Sequence, residues 1–264
     1  MGGTVRAQQH GGGSDQALSA DDPRLDLAAL QGLESLTTLS DADRTVLTRI
    51  SAETQRVGPA TDLVREGDAP VGVFLVMNGI AHRNKLRANG ARQIMAYMVP
   101  GDVCDLDVPL LREMDHTITT FSACEVVRLL PETVVDLLEN HRSIARALRM
   151  SQLVDEATAR EWLVNVGRRP ARERIAHLFC ELFVRMRVAG LAGQDGYALP
   201  ITQVDLADTT GLTPVHVNRT LQDLRRAGLI ELRNGRLTIL NLPGLRATAE
   251  FRSNYLHLGD QAAA

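Results

Sequence analysis

The segment that spans residues 201–222, ITQVDLADTTGLTPVHVNRTLQ, constrains the fold of this chain most strongly. Ala207 is small enough to let two helices approach closely, and Gly211, four residues later, suits a left-handed turn. Val217, six residues further on, falls where a second helix is buried under the first. The spacing of these three residues predicts a helix-turn-helix.

The second helix of this motif has a defined start, since Thr213 can cap it and Pro214 suits its first position. In a helix that begins there, Val217 and Leu221 face inward together with Leu224. The residues that face outward are Val215, His216, Asn218, Arg219 and Gln222.

An outward helix face of this composition fits the major groove of double-stranded DNA. Arg219 can donate two hydrogen bonds to guanine, Asn218 can pair with adenine or a phosphate, and Val215 can pack on a thymine methyl group. Three further residues, Thr202, Gln203 and Thr213, are better placed to contact phosphates, which fix the register without reading sequence.

The charge pattern supports this interpretation only locally. The net charge is −3 and the pI is near 6.2, so affinity for nucleic acid must come from a local patch. Between residues 213 and 236, Asp223 and Glu231 oppose five arginines, Arg219, Arg225, Arg226, Arg233 and Arg236. This segment therefore carries an excess of three positive charges.

Two strand-like segments, 229–233 and 237–240, flank Asn234-Gly235 directly after the second helix. This dipeptide favours a tight hairpin, which would form the wing of a winged helix-turn-helix. An ordinary helical hairpin with a solvated arginine face is the competing interpretation, and the wing argues against it.

The region from Gln55 to Leu130 shows short apolar runs separated by turn residues, and residues 71–77 and 93–99 are typical of strands. Asn89-Gly90 predicts a type I′ hairpin turn between two of them. The pattern predicts an antiparallel β-roll.

Helical patterns frame the roll. Ser40 can cap a short helix before it. After it, one long amphipathic helix is expected from Asn140 to Gly167, and Pro170 starts another that ends near Gly190. We therefore expect an α+β chain with a disordered tail (1–22), a sensor domain (23–139), a dimerisation helix (140–168) and a winged helix-turn-helix domain (169–264).

No other site chemistry emerges from the sequence. Three widely spaced cysteines, Cys104, Cys124 and Cys180, argue against a disulfide framework and favour a reducing cytoplasm, and no signal peptide or membrane span is expected. Core packing is the favoured role of all three, although a redox role for Cys104 and Cys124 stays open. His177 and Cys180 have a spacing that metal ligands can use, but packing is favoured. We expect no metal, no cofactor and no catalytic residue.

The order of roll, long helix and winged helix resembles the Crp/Fnr family of bacterial transcription regulators over residues 33–240. Residues 63–103, LVREGDAPVGVFLVMNGIAHRNKLRANGARQIMAYMVPGDV, are similar to the family's cyclic-nucleotide-binding roll, and LADTTGLTPVHVNRTLQDLRRAGLI is similar to its DNA-binding signature. Arg219 matches the family's base-reading arginine. The resemblance implies a homodimer joined along the long helix, with double-stranded DNA and RNA polymerase as partners.

The effector region departs from the family pattern. Cyclic-AMP-binding members carry Gly-Glu after the Gly-Asp turn and a later Arg-Ser that neutralises the phosphate; this chain has Asp105-Leu106-Asp107 and His116-Thr117 instead. Two aspartates would repel the phosphate, so we expect an effector other than cyclic AMP. The possible effector pocket comprises Val103, Cys104, Asp105, Leu106, Asp107, His116 and Thr117. His116 fits three roles: a pH sensor, a pocket residue or, the one favoured, a surface turn residue.

The favoured function is a cytoplasmic regulator that binds a pseudo-palindromic operator. The iron–sulfur sensor of other family members is excluded because no cysteine precedes Cys104. Pro214 and Val215 replace two polar groove residues of the family, so the operator should differ from those of well-known members. The alternatives are a small-molecule sensor whose winged helix docks a protein partner, and an enzyme on a cupin-like roll.

Overall fold

The computed structural model describes residues 31–106 and 110–258, so the expected tail, residues 1–22, and the pocket residue Asp107 lie outside them. Residues 31–36 are helical (α1), and helix α2 follows at Asp41–Ser51. The Ser40 hydroxyl accepts a hydrogen bond from the Asp43 amide at 3.1 Å and so caps α2, as the sequence predicts.

Eight short strands form two four-stranded antiparallel sheets. In chain order they are β1 (Gln55–Val57), β2 (Asp62–Val64), β3 (Val73–Asn78), β4 (Ala81–Leu86), β5 (Arg92–Met98), β6 (Val103–Cys104), β7 (Thr117–Thr120) and β8 (Cys124–Leu129). The strand orders are β1-β8-β3-β6 and β2-β7-β4-β5. Phe74 and Val126 of the first sheet share a buried apolar cluster with Ile118 of the second. The predicted antiparallel roll is confirmed.

The turn between β4 and β5 corrects one prediction. Residues 87–91 connect the strands, and Gly90 has a φ of +82° whereas Asn89 is not in the left-handed region. A type I′ turn needs positive φ at both central residues. The Arg87 amide donates to the Ala91 carbonyl and the Gly90 amide to the Arg87 carbonyl. The predicted type I′ turn is therefore wrong, and a longer loop takes its place.

The long helix connects both cores of the molecule. Helix α3 spans Pro131–Asn140, and α4 spans Arg142–Arg168. Ile144 and Leu148 of α4 pack into an apolar cluster with the roll, whereas Trp162 belongs to the cluster of the C-terminal region.

The C-terminal region contains helices and a small sheet. Its elements are α5 (Ala171–Val188), β9 (Gly196–Ala198), α6 (Gln203–Thr210), α7 (Pro214–Arg226), β10 (Ile230–Arg233), β11 (Arg236–Ile239), α8 (Leu242–Ala249) and a 3-10 turn (Ser253–Leu256). Asn234 and Gly235 have φ values of 50° and 69°, as the predicted wing turn requires. Strand β9 completes a three-stranded sheet of order β10-β11-β9 and was not predicted.

Two further properties concern the described ranges as a whole. None of their helices is long and apolar enough to cross a membrane. Within the same ranges, no three His, Cys, Asp or Glu side chains cluster so that they could hold a metal ion.

Candidate nucleic-acid interface

Helix α6 is fixed at both ends by local interactions. The Thr202 hydroxyl accepts from the Asp205 amide at 3.1 Å, while the Asp205 carboxylate accepts from the Thr202 amide at 2.8 Å, so each caps the other. Gly211 ends the helix with a φ of +66°. Its amide donates to the carbonyl of Ala207, which is buried where α6 meets its neighbours. The predicted roles of Ala207 and Gly211 are confirmed.

Helix α7 presents one apolar and one polar face. The Thr213 hydroxyl accepts from the His216 amide at 3.2 Å and caps the helix, and Pro214 is its first residue. Three side chains are almost fully buried under the helix, Val217, Leu221 and Leu224. The five predicted outward residues are all exposed, Val215, His216, Asn218, Arg219 and Gln222.

A chain of amide hydrogen bonds crosses from α6 to α7. Asn218 Nδ2 donates to Gln203 Oε1 at 3.1 Å, and Gln222 Nε2 donates to Asn218 Oδ1 at 2.9 Å. Asn218 therefore contacts a neighbour through both atoms of its amide, and the Gln203 amino group and the Gln222 carbonyl lie at the free ends of the chain. Thr202 and Gln203 are exposed beside this chain.

Arg219 differs from the other arginines of the basic segment. Each of the others contacts an acceptor in the chain. Arg225 donates to the carbonyl of Leu232, and three arginines pair with carboxylates: Arg226 with Asp223, Arg233 with Glu231, and Arg236 with Asp195. Within the described residues, Arg219 has no ion pair and no side-chain hydrogen bond. Its guanidinium group can therefore bind an external acceptor without first breaking an internal contact.

The roll holds α6 through polar contacts that the sequence did not reveal. Arg92 of β5 donates from Nε to Asp208 at 2.8 Å and from Nη2 to Asp205 at 2.5 Å. The Tyr97 hydroxyl lies 2.6 Å from that of Thr209. Burial alone would raise the pKa of Asp205, but hydrogen bonds from Thr202 and Arg92 outweigh it and lower that pKa.

A buried carboxylate joins the long helix to the C-terminal region. Glu181 of α5 is fully buried and accepts from Trp162 Nε1 at 3.0 Å and from the Tyr255 hydroxyl at 2.8 Å. Burial raises the pKa of Glu181. Arg185, one turn further along α5, reaches the roll and pairs with Asp102 at 2.5 Å.

A cavity of about 330 Å³ lies between the roll and α4. Four of the predicted effector-pocket residues line it, Val103, Asp105, Leu106 and His116, and α4 contributes Leu148, Ser151, Gln152, Asp155, Glu156 and Ala159. Cys104 and Thr117 are not among the lining residues. Cys104 is buried on the other face of the strand pair, with Sγ 3.4 Å from Met98 Sδ, and the Thr117 hydroxyl accepts from the Glu66 amide.

His116 is not a surface turn residue, which corrects the favoured interpretation. It is 7% exposed, and its ring nitrogens lie 2.9 Å from Asp105 Oδ2 and 2.7 Å from Asp115 Oδ1. Burial alone would lower the pKa of His116, but hydrogen bonds to Asp105 and Asp115 outweigh it and raise that pKa above 6.5. Burial alone would raise the pKa of Asp105, but the hydrogen bond to His116 and the charge of Arg83 outweigh it and lower that pKa.

The cavity between the roll and α4 is rich in carboxylates. Arg83 lines the cavity, and its guanidinium group already pairs with Asp105 at 2.6 Å and with Asp155 at 3.2 Å. Asp115 and Glu156 add two more carboxylates. A phosphate placed here would therefore face four carboxylates and a guanidinium group that is already engaged.

The burial of His177, Cys124 and Cys180 agrees with the core-packing role that the sequence favours for them. His177 and Cys180 are buried in α5, and His177 Nε2 lies 3.3 Å from Glu161 Oε1. Burial raises the pKa of the Cys124 thiol to about 11 and that of the Cys180 thiol to about 12. Both thiols therefore stay protonated at neutral pH.

Comparisons with known proteins agree with this architecture. Residues 173–248 match the family of Crp-like helix-turn-helix domains, and residues 54–141 match the cyclic nucleotide-binding domain family. The nitrogen fixation regulation protein FixK of Bradyrhizobium diazoefficiens is 29% identical over 185 residues, which cover 70% of this chain and 76% of FixK. The transcriptional activator protein FnrL of Cereibacter sphaeroides is 29% identical over 181 residues, 67% of this chain and 72% of FnrL.

The solved structure of FixK2 from Bradyrhizobium japonicum has the same fold. It aligns with a TM-score of 0.66 at 23% identity, over 74% of this chain and 96% of FixK2. The two domain matches, the curated relatives and this shared architecture place a nucleotide-binding-type roll and a Crp-like helix-turn-helix in one chain. The chain belongs to the Crp/Fnr family of transcription regulators.

Proposed function

We propose that this regulator binds a pseudo-palindromic DNA operator as a homodimer. The observation that carries the proposal is Arg219, an exposed arginine without an internal partner in the described residues, on the outward face of a helix that is capped and anchored by α6. A bidentate contact from such an arginine to guanine O6 and N7 is the commonest specific contact in the major groove.

The other predicted contact residues have separate roles in this proposal. Val215 is 80% exposed in the first turn of α7 and packs on a thymine methyl group. His216 lies beside it and faces the groove as well. Asn218 and Gln222 present the amide chain to the base edges. Thr202, Gln203 and Thr213, at the starts of α6 and α7, contact phosphates and set the register.

The dimer contact that we propose follows the outer face of α4. Leu153, Leu163 and Val164 are 50%, 75% and 47% exposed, although they are apolar residues within α4, the longest helix described. Val164 follows Leu153 by about three helical turns, so these two share a face, and Leu163 lies about 80° away around the helix, at the edge of that face. Pairing two copies along this face buries these side chains. The two-fold axis of the dimer then matches the symmetry of a pseudo-palindromic operator.

The experiment is selection of bound sequences from a random duplex library at moderate salt, with the mass of the protein measured by sedimentation. We expect a dimer and a pseudo-palindrome with half-sites about one helical turn apart. Arg219→Ala should lose about 1–3 kcal/mol of operator affinity and relax preference at one base pair per half-site. Arg226→Ala, on the same helix but paired with Asp223, should leave base preference unchanged.

The competing function is a sensor whose winged helix docks a protein partner. Counterion release distinguishes the two, because the logarithm of DNA affinity falls linearly with the logarithm of salt concentration in proportion to the phosphates contacted. If the protein does not bind the library, or if its affinity for the library does not depend on salt, the operator proposal is refuted.

We further propose that RNA polymerase is the partner of the DNA-bound dimer. The site of action that we propose is the cytoplasm, where the three free cysteines stay reduced.

The cavity between the roll and α4 is the effector site that we propose, and the charges of its lining disfavour cyclic nucleotides. Thermal-shift titration with cyclic AMP and cyclic GMP should therefore leave the unfolding temperature unchanged. A saturable rise with either nucleotide would overturn this part of the proposal.

A further inference from the structure

A cluster of arginines lies at the corner where α4 ends and α5 begins. Residues 168–174 read RRPARER, so this segment contains four arginines and one acidic residue, Glu173. Helix α4 ends at Arg168 and α5 begins at Ala171. The predicted DNA contacts, all between residues 202 and 222, do not include this corner.

Arg174 fixes the corner against the helix-turn-helix. Its Nη1 donates to the carbonyl of Thr210, the last residue of α6, at 2.5 Å, and its Nη2 donates to the carbonyl of Arg169 at 2.9 Å. A Cβ added at Gly211 would lie 3.5 Å from Val166 Cγ1 of α4, so the turn itself contacts the corner. Since α7 begins only three residues after Gly211, the corner lies next to the start of the recognition helix.

Two of the four arginines remain available. Arg169 pairs with Glu161 at 2.5 Å, and Arg174 is engaged by the two carbonyls. Arg168 and Arg172 are exposed, and neither has an ion pair or side-chain hydrogen bond within the described residues. Their charges therefore face solvent beside the groove-facing surface.

Helix electrostatics do not account for both residues. Arg168 lies in the last turn of α4, where a cation is favourable, but Arg172 lies in the first turn of α5, where the helix dipole disfavours one. An anion bound by the Arg172 guanidinium group would offset this unfavourable interaction.

We propose that Arg168 and Arg172 bind the DNA phosphate backbone beside the recognition helix. The proposal rests on the DNA-binding function proposed above and extends the phosphate-contacting surface from the starts of α6 and α7 to the corner of α4 and α5. These contacts position the domain on the duplex and carry no sequence information.

The test compares the salt dependence of binding for the wild-type chain and two double variants. Arg168→Ala/Arg172→Ala should lower the slope of log affinity against log salt by about 3.6, since the two protomers of the proposed dimer together lose four phosphate contacts and each lost contact removes about 0.9. Operator and unrelated duplexes should weaken by the same factor. Arg142→Ala/Arg146→Ala is the matched control: both arginines are exposed on α4 but lie about 39 Å and about 33 Å from Arg168, at a rise of 1.5 Å per residue. Its slope should match that of the wild type.

Lysine and glutamine variants keep the test decisive if the alanine variant is unstable. Arg168→Lys/Arg172→Lys should retain the slope of the wild type, because charge and not shape is required, whereas Arg168→Gln/Arg172→Gln should lose it. An unchanged slope in the alanine or glutamine variant, or a loss confined to operator DNA, would overturn the inference. A wild-type protein without salt-dependent binding would instead refute the underlying DNA-binding function.

Discussion

Arg92 of the roll donates to Asp208 of the first helix of the helix-turn-helix, with Nε 2.8 Å from Oδ2. The two residues are 116 positions apart in the chain and belong to different structural units. Asp205 contacts the same guanidinium group from one turn earlier in α6. The position of the DNA-binding helices relative to the roll therefore depends on side chains of β5, Arg92 and Tyr97 among them, as well as on α4.

The first prediction concerns the energy of this contact. Arg92→Ala, Asp208→Ala and the double variant should give a coupling free energy of about 1 kcal/mol in urea unfolding, since the ion pair is partly buried and the guanidinium group is shared by two carboxylates. The pair Arg65–Asp62, whose arginine is 69% exposed, is the control and should couple more weakly. Equal coupling in the two cycles would contradict the structural role given to Arg92.

The second prediction is a pH dependence of stability at His116. Because folding raises the pKa of His116, its stabilising effect is complete below about pH 6.5 and is lost as the pH rises through the folded-state pKa. Folding lowers the pKa values of Asp105 and Asp115, so their effect is present above about pH 4 and is lost as the pH falls through their folded-state values. The contact is therefore strongest between these limits.

The measurement is the free energy of unfolding of the wild type and of His116→Gln from pH 5.5 to pH 9. The variant should lose more stability at pH 5.5 than at pH 9. The difference should shrink when Asp105 is replaced by asparagine. A loss that does not vary with pH would show that the histidine contributes packing alone.

The third prediction contrasts two glycines. A Cβ at Gly196 would lie 2.1 Å from the Leu237 carbonyl oxygen, a backbone atom of the neighbouring strand, so Gly196→Ala should cost about 2–3 kcal/mol and disturb the wing sheet. Gly211 has room for a Cβ but a positive φ, so Gly211→Ala should cost only about 1 kcal/mol. Thermal unfolding of both variants would measure the costs, and the reverse order would contradict the packing described for β9.

Local signals in the sequence were reliable guides to the fold. Ser40, Thr213 and Gly211 act through groups within four residues of themselves, so their neighbours in the sequence are enough to assign them. The wing turn predicted at Asn234-Gly235 is confirmed for the same reason. The type I′ turn predicted at Asn89-Gly90 is wrong because the register of β4 and β5 is set by pairing along both strands. This register leaves five residues between the strands, where the predicted turn needs two.

Features that depend on distant residues were missed. Strand β9 pairs with β11, where Ala198 is opposite Arg236, and nothing near Ala198 indicates that partner. His116 lacks a burial signal because Asp105, one of the two carboxylates that compensate for its polarity, lies eleven residues away and contacts it only in the folded chain. The family resemblance predicts Cys104 and Thr117 in the effector pocket together with their neighbours, but alternation along a strand turns neighbouring side chains to opposite faces.

Trp162 is the single tryptophan of the chain, and its surroundings give it a practical use. Its indole donates to the buried Glu181 carboxylate, and its ring lies 5.7 Å from that of Tyr97 in the roll. Any rotation of the roll against the winged helix changes both the polarity and the stacking around this one fluorophore. Its emission is therefore an intrinsic optical reporter of interdomain geometry, with no label required.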